Sequence, residues 1–127
     1  MPVYFDGMLY FAASNGPIRG FAISDAKISS TPVAETADSF GPDATPSVSA
    51  NGTDNGILWF VQNTNPGVFV LFAYDAKTLG GLYNSNMAAN GRDQLGGVQH
   101  FIPPTIANGK VFVSTPNGVA VFGLLTH

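Results

Sequence analysis

Pro2-Val3-Tyr4-Phe5-Asp6-Gly7-Met8-Leu9-Tyr10-Phe11 lies without a gap on Pro104-Thr105-Ile106-Ala107-Asn108-Gly109-Lys110-Val111-Phe112-Val113. The register continues through Asn15-Gly16 against Asn117-Gly118, so every pair is 102 residues apart. Half of that interval is 51, and a middle copy stands there: Pro46-Ser47-Val48-Ser49-Ala50-Asn51-Gly52, an insertion, then Gly56-Ile57-Leu58-Trp59-Phe60-Val61. Phe21-Ala22-Ile23-Ser24-Asp25-Ala26-Lys27 returns as Phe72-Ala73-Tyr74-Asp75-Ala76-Lys77, placing Asp75-Ala76-Lys77 50 residues after Asp25-Ala26-Lys27. Self-similarity at a fixed period marks a repeat architecture, in which each unit buries its apolar face on the next. The chain divides into three such units, at residues 1–36, 44–85 and 101–127.

Within a unit, Pro followed by alternating residues predicts a first strand, near 3–5, 46–50 and 104–107. An Asp-Gly or Asn-Gly pair then predicts a tight hairpin turn tolerant of positive φ, and an apolar run such as 58–61 a buried second strand. Gly-containing loops (Asn15-Gly16-Pro17, Asn65-Pro66-Gly67, Pro116-Asn117-Gly118) lead to third strands at 20–23, 68–74 and 119–124. A more polar fourth strand is predicted at 28–33 and 79–84, with none in the third unit. Four antiparallel strands repeated every 40–50 residues or so are the signature of β-propeller blades. An immunoglobulin-like sandwich also uses many short strands, but it does not predict self-similarity at 51 residues.

Composition agrees. The 127 residues (13.2 kDa) suffice for one domain. Only 10% are charged, against about 25% in a typical soluble domain, which leaves too little Glu and Lys to dress solvent-facing helices. With Gly 15, Pro 9 and 12% aromatic residues, the expected class is all-β. A net charge of -3 and five singly scattered Lys and Arg give no basic stripe, so neither nucleic acid nor a membrane surface is an expected partner. Met1-Pro2-Val3-Tyr4-Phe5 lacks the basic and long apolar regions of a secretory leader, and no apolar run approaches the roughly 18 residues of a membrane span. Without Cys there is no disulfide or thiolate chemistry.

Ala73-Tyr74-Asp75-Ala76-Lys77-Thr78-Leu79-Gly80-Gly81-Leu82-Tyr83 resembles the blade-docking motif of quinoprotein-like (pyrroloquinoline quinone repeat) propellers, A-x-D-x-x-T-G-x-x-x-W. Ala73, Asp75 and Thr78 match; Leu79 replaces the motif Gly, which follows at Gly80, and Tyr83 takes the Trp position. The stretch 82–125 is similar to the closing blades of large bacterial members, so the resemblance is motif-specific only over the C-terminal blades. It implies propellers of about six to eight blades, and full-length relatives that are secreted or periplasmic. The docking motif is structural in that family. Nothing here supplies the catalytic acid and calcium ligands of quinone-dependent dehydrogenases, so no bound quinone is expected.

A three-blade arc leaves two apolar end faces and a free strand edge in water, and is expected to be unstable as a monomer. The expected fold is therefore a partial β-propeller of about three four-stranded antiparallel blades, closing a ring by oligomerisation. Two copies would complete about six blades, which makes a homodimer the preferred assembly.

In a propeller, the loops joining one blade to the next share a face with the second-to-third-strand loops, and ligands usually sit there. Asp25, Lys27, Asp75 and Lys77 fall in third-to-fourth turns, and Asp6, Asp54 and Lys110 beside first-to-second hairpins, on the opposite face as turn formers. The ligand face collects Arg19 and, from segments 35–45 and 85–103, Asp38, Asp43, Arg92, Asp93 and His100. His100 is the one histidine away from the terminal His127. With Asp93 it would form a base and its orienting carboxylate, or with Asp38 or Asp43 one ligand of a divalent metal site, although no His-x-His or Glu-x-x-His spacing supports a metal. The plainer alternative is a loop histidine bonded to backbone, and for Arg92-Asp93 an ion pair that pins a long loop rather than an anion clamp.

Asn51-Gly52-Thr53-Asp54-Asn55-Gly56 has one carboxylate where a calcium loop needs several, and is expected to be an extended hairpin turn. Trp59, Tyr10 and Phe112 occupy equivalent repeat positions and are expected to pack between blades. No cofactor is expected. Two functions of different class follow: a scaffold or interaction module that self-assembles into a closed propeller, or a weak hydrolase of activated esters or phosphate esters. The hydrolase would place His100, Asp93 and Arg92 at the pore or subunit interface.

Overall fold

The computed structural model describes residues 1–42, 44–97 and 102–124. They form three antiparallel sheets, joined in sequence. Sheet 1 holds β1 (Val3–Phe5), β2 (Met8–Ala12), β3 (Ile18–Ser24), β4 (Lys27–Ile28) and β5 (Ala34–Glu35), the last two both paired with β3. Sheet 2 is β6 (Ser47–Asn51), β7 (Asp54–Asn65), β8 (Val68–Asp75) and β9 (Gly81–Asn84). Sheet 3 is β10 (Thr105–Ala107), β11 (Lys110–Thr115) and β12 (Gly118–Phe122). A single 3-10 turn, Ala89–Gly91, is the one helical element among the described residues.

The hairpins follow from the turn chemistry. Asp6 and Gly7 both take positive φ (43° and 77°), as do Asn108 and Gly109 (49° and 67°), the backbone twist that two-residue hairpin loops require. The second strand of the middle unit runs well beyond the apolar core of its sequence, from Asp54 to Asn65.

The expected fourth strand at 28–33 is instead broken in two. Ser29 N still donates to Ala22 O and Val33 N to Gly20 O, both at 2.8 Å, but Pro32 has no N–H to continue the ladder. In the middle unit the fourth strand starts at Gly81, because Leu79 adopts φ 55° and its N–H closes a turn onto Asp75 O at 2.8 Å.

Two apolar clusters hold the sheets together, one on each face of sheet 2. The first joins Tyr10 and Ile18 of sheet 1 to Leu58, Phe60, Tyr74, Ala76 and Leu79, with Phe40 from the connection wedged among the rings. The second joins Val61, Phe69 and Leu71 to Val111 and Val113 of sheet 3, with Leu95 from the next connection. The first strands neighbour one another in the order β1, β6, β10, and Ser47 Oγ donates to Pro104 O at 2.6 Å across the second joint. At the first joint the Tyr10 hydroxyl donates to Ala76 O at 2.5 Å.

Strand pairing sharpens the repeat. Tyr10, Trp59 and Phe112 each sit opposite the residue that follows a unit's opening Pro, namely Val3, Ser47 and Thr105. Tyr10 faces sheet 2 and Trp59 packs against the cluster facing sheet 3. Phe112 alternates with the inward Val111 and Val113 and so faces away from sheet 2. The opposite faces also match. Leu9 and Phe21 are partners in sheet 1, as are Leu58 and Tyr74 in sheet 2 and Val111 and Phe122 in sheet 3.

Candidate functional site

Arg92 and Asp93 follow the 3-10 turn and form a bidentate pair, Nε to Oδ1 at 2.6 Å and Nη2 to Oδ2 at 2.9 Å. The Tyr83 hydroxyl, from β9, donates to Asp93 Oδ2 at 2.6 Å. These bonds, Arg92 first and Tyr83 second, hold the Asp93 carboxyl down at about 2. Burial, and then the bond to Asp93, pushes the Tyr83 phenol up to about 12. Asp93 also raises the Arg92 guanidinium above its ordinary value. A carboxylate that acidic is a poor proton acceptor at neutral pH, and its guanidinium partner is already engaged. Chemically, the cluster ties the connection 85–97 back to the edge strand β9. His100, and Asp43 with it, lies outside the described residues.

The other residues expected on the ligand face are dispersed. Arg19 reaches the outer face of sheet 1 and pairs there with Glu35 at 3.2 Å, with both side chains well exposed, an arrangement that contributes little to stability. Asp38 sits on the connection between sheets 1 and 2, where Oδ2 accepts the Tyr74 hydroxyl at 2.9 Å. Burial, and after it this bond, raises the Tyr74 phenol well above its ordinary range. The connection is fixed locally by Thr36, which is buried. Its Oγ1 accepts Ile18 N at 3.0 Å and donates to Asp38 O at 2.7 Å. Among the described residues no group of three or more His, Asp or Glu is placed to hold a metal ion.

Asp75, the acid of the docking-like motif, is a turn former. Its Oδ1 accepts Thr78 N at 2.8 Å, Lys77 N at 2.9 Å and Thr78 Oγ1 at 3.1 Å. The Thr78 backbone bond leads in lowering its pKa. The motif thereby presents Ala76 and Leu79, both buried, to sheet 1.

Two features were not singled out from sequence. One is a groove of about 480 Å³ on the outer face of sheet 1, lined by Phe11, Pro17, Arg19, Phe21 and Ile28. The other is a cavity of about 400 Å³ between the Asp38–Gly41 stretch and the far end of the β7–β8 hairpin, into which Gln62 is set. Gln62 carries a readable signal: it is the first polar side chain after the apolar run Ile57-Leu58-Trp59-Phe60-Val61, inside a strand whose partner is also apolar. Compared with known proteins, the chain matches no family model, no curated protein sequence and no solved structure.

Proposed function

We propose that this chain is a scaffold module of propeller blades, of the quinoprotein-like type, that self-associates head to tail through its two end sheets so that two copies close one ring. Register equivalence supports the reading. Leu9, Phe11 and Phe21 on the outer face of sheet 1 hold the places taken by Leu58, Phe60 and Tyr74 in sheet 2 and by Val111, Val113 and Phe122 in sheet 3. In sheets 2 and 3 those places pack against the preceding sheet. In sheet 1 they face solvent, with Phe11 and Phe21 edge to face at 5.7 Å, Ile28 50% exposed and Tyr4 61% exposed. The outer face of sheet 3 offers the complement: Phe112 in the place of Tyr10 and Trp59, flanked by Val119 and Val121, 62% and 52% exposed. Each end face thus has the composition of one half of a joint that the chain builds twice internally, and apolar faces of this kind mark interaction sites. A joint made this way is heterologous, and it closes when the rotation per blade divides the ring.

Light scattering on the purified 127-residue chain tests the reading. The expected mass is twice 13.2 kDa, with Phe11→Asp and Phe112→Asp each giving monomers. A monodisperse wild-type particle of 13.2 kDa overturns it.

A further inference from the structure

The cavity at Gln62 is formed by residues of sheet 2 and of the connection that leads into it from sheet 1, so it is complete within one chain and does not depend on assembly. Asp38, Ser39, Phe40, Gln62, Asn63 and Phe72 line it. Gln62 is only 5% exposed; its Nε2 donates to Asn63 O at 2.9 Å, while Oε1 has no donor among the described residues. The Cβ of any residue replacing Gly41 would sit 2.9 Å from that Nε2, so glycine lets the connection close over the amide. A buried acceptor without a donor bears the full cost of its desolvation, and a site retains one where something supplies the donor.

Among the described residues the one charge on the lining is negative, beside the neutral Ser39, Asn63 and Thr64. Asp38, at the rim, accepts Tyr74 on Oδ2 and has no partner on Oδ1 among the described residues. Among the described residues, no Lys, Arg or His lines the cavity. Phe40 and Phe72, edge to face at 5.2 Å, provide apolar wall. A carboxylate at the mouth, an unpaired carbonyl inside and aromatic walls suit a ligand that brings N–H donors and positive charge together.

We propose that this cavity binds a small organic cation bearing N–H donors, an alkylammonium or guanidinium group, with Asp38 as counter-charge and Gln62 Oε1 accepting one N–H. The probe is butylammonium chloride, titrated into the isotopically labelled protein and followed by NMR at the Gln62 side-chain amide and the Phe72 ring. Butanol and glucose, at the same concentrations and matched salt, serve as neutral comparators. Saturable shifts at both places with butylammonium alone are expected. Asp38→Asn, which keeps an acceptor for Tyr74, should weaken binding about tenfold or more, the scale of a charge-assisted contact. Gln62→Met should weaken binding and raise Tm, because the unpaired acceptor is gone. Thermal melts of both variants verify that they fold. Absence of saturation, an equal response to butanol, a response to glucose alone, or undiminished binding in folded Asp38→Asn each overturn the proposal.

Discussion

Replacing Gly56 by Ala tests how sheet 1 is docked on sheet 2. Gly56 is buried where β7 enters the first cluster, and its carbonyl accepts Ala76 N at 2.9 Å. A Cβ there would lie 2.8 Å from Phe5 Cζ, closer still to Phe5 Cε1, and 3.0 Å from Ala76 Cβ. Two of these neighbours belong to a ring of sheet 1 and the third to the turn that receives the Tyr10 hydroxyl. Overpacking of this kind costs about 1–3 kcal/mol. Gly56 is not among the positive-φ glycines, so Ala also gains roughly 0.4–1 kcal/mol by restricting the unfolded chain. The net expectation is a loss of about 1–2 kcal/mol. With an m-value of about 2 kcal/mol per molar urea, the middle of the usual range, the midpoint should fall by about 0.5–1 M. Phe5→Leu removes the obstructing ring edge, so Gly56→Ala should cost distinctly less in that background, with a coupling of about 0.5 kcal/mol or more. A neutral or stabilising Gly56→Ala, or an equal loss in both backgrounds, refutes the docking geometry.

At alkaline pH, Tyr10 should be one contributor to the loss of stability, beside Tyr74 and Tyr83. Burial, and secondarily the charge of Asp6, raises the Tyr10 phenol to about 12, while in the unfolded chain it ionises near 10 or so. Its contribution is therefore whole below about pH 10 and is lost as the pH rises through the folded value; Tyr10→Phe should flatten that decline in urea midpoints while costing about 1 kcal/mol at neutral pH. At acid pH the sign reverses for Asp93, held at about 2 by Arg92 and Tyr83. Its contribution is present above the ordinary carboxylate range near 4 and lost as the pH falls toward the folded value. Asp93→Asn should make the acid limb of the stability profile shallower, and an unchanged limb would show that the loop pin contributes nothing.

Much of the fold is legible in the chain because its signals are local. Asp6-Gly7 and Asn108-Gly109 dictate hairpins, and the place after each unit's Pro fixes which residue of the second strand it opposes. Two things are less visible. Phe21 aligns with Phe72 by sequence, yet pairing puts Phe21 opposite Leu9 as Tyr74 is opposite Leu58. A slip of two residues keeps every side chain on its own face, so alternation cannot reveal it. The broken fourth strand depends on one missing N–H at Pro32, which composition alone does not rank above its neighbours. Of the described residues expected on the ligand face, Arg19 lines the outer groove and Asp38 the cavity, whose Gln62 is recognisable as unpaired only once Gly41 and Asn63 are placed around it.

The two apolar clusters share no residue and lie on opposite faces of sheet 2, so among the described residues the middle sheet couples the outer two. Free energy in such a stack is close to a nearest-neighbour sum. Peeling sheet 3 away costs one cluster, whereas melting sheet 2 forfeits both. Amide protection should therefore fall from the paired centre of β7 and β8 outward in both directions, and a force applied across the stack would open one joint at a time rather than the whole chain together.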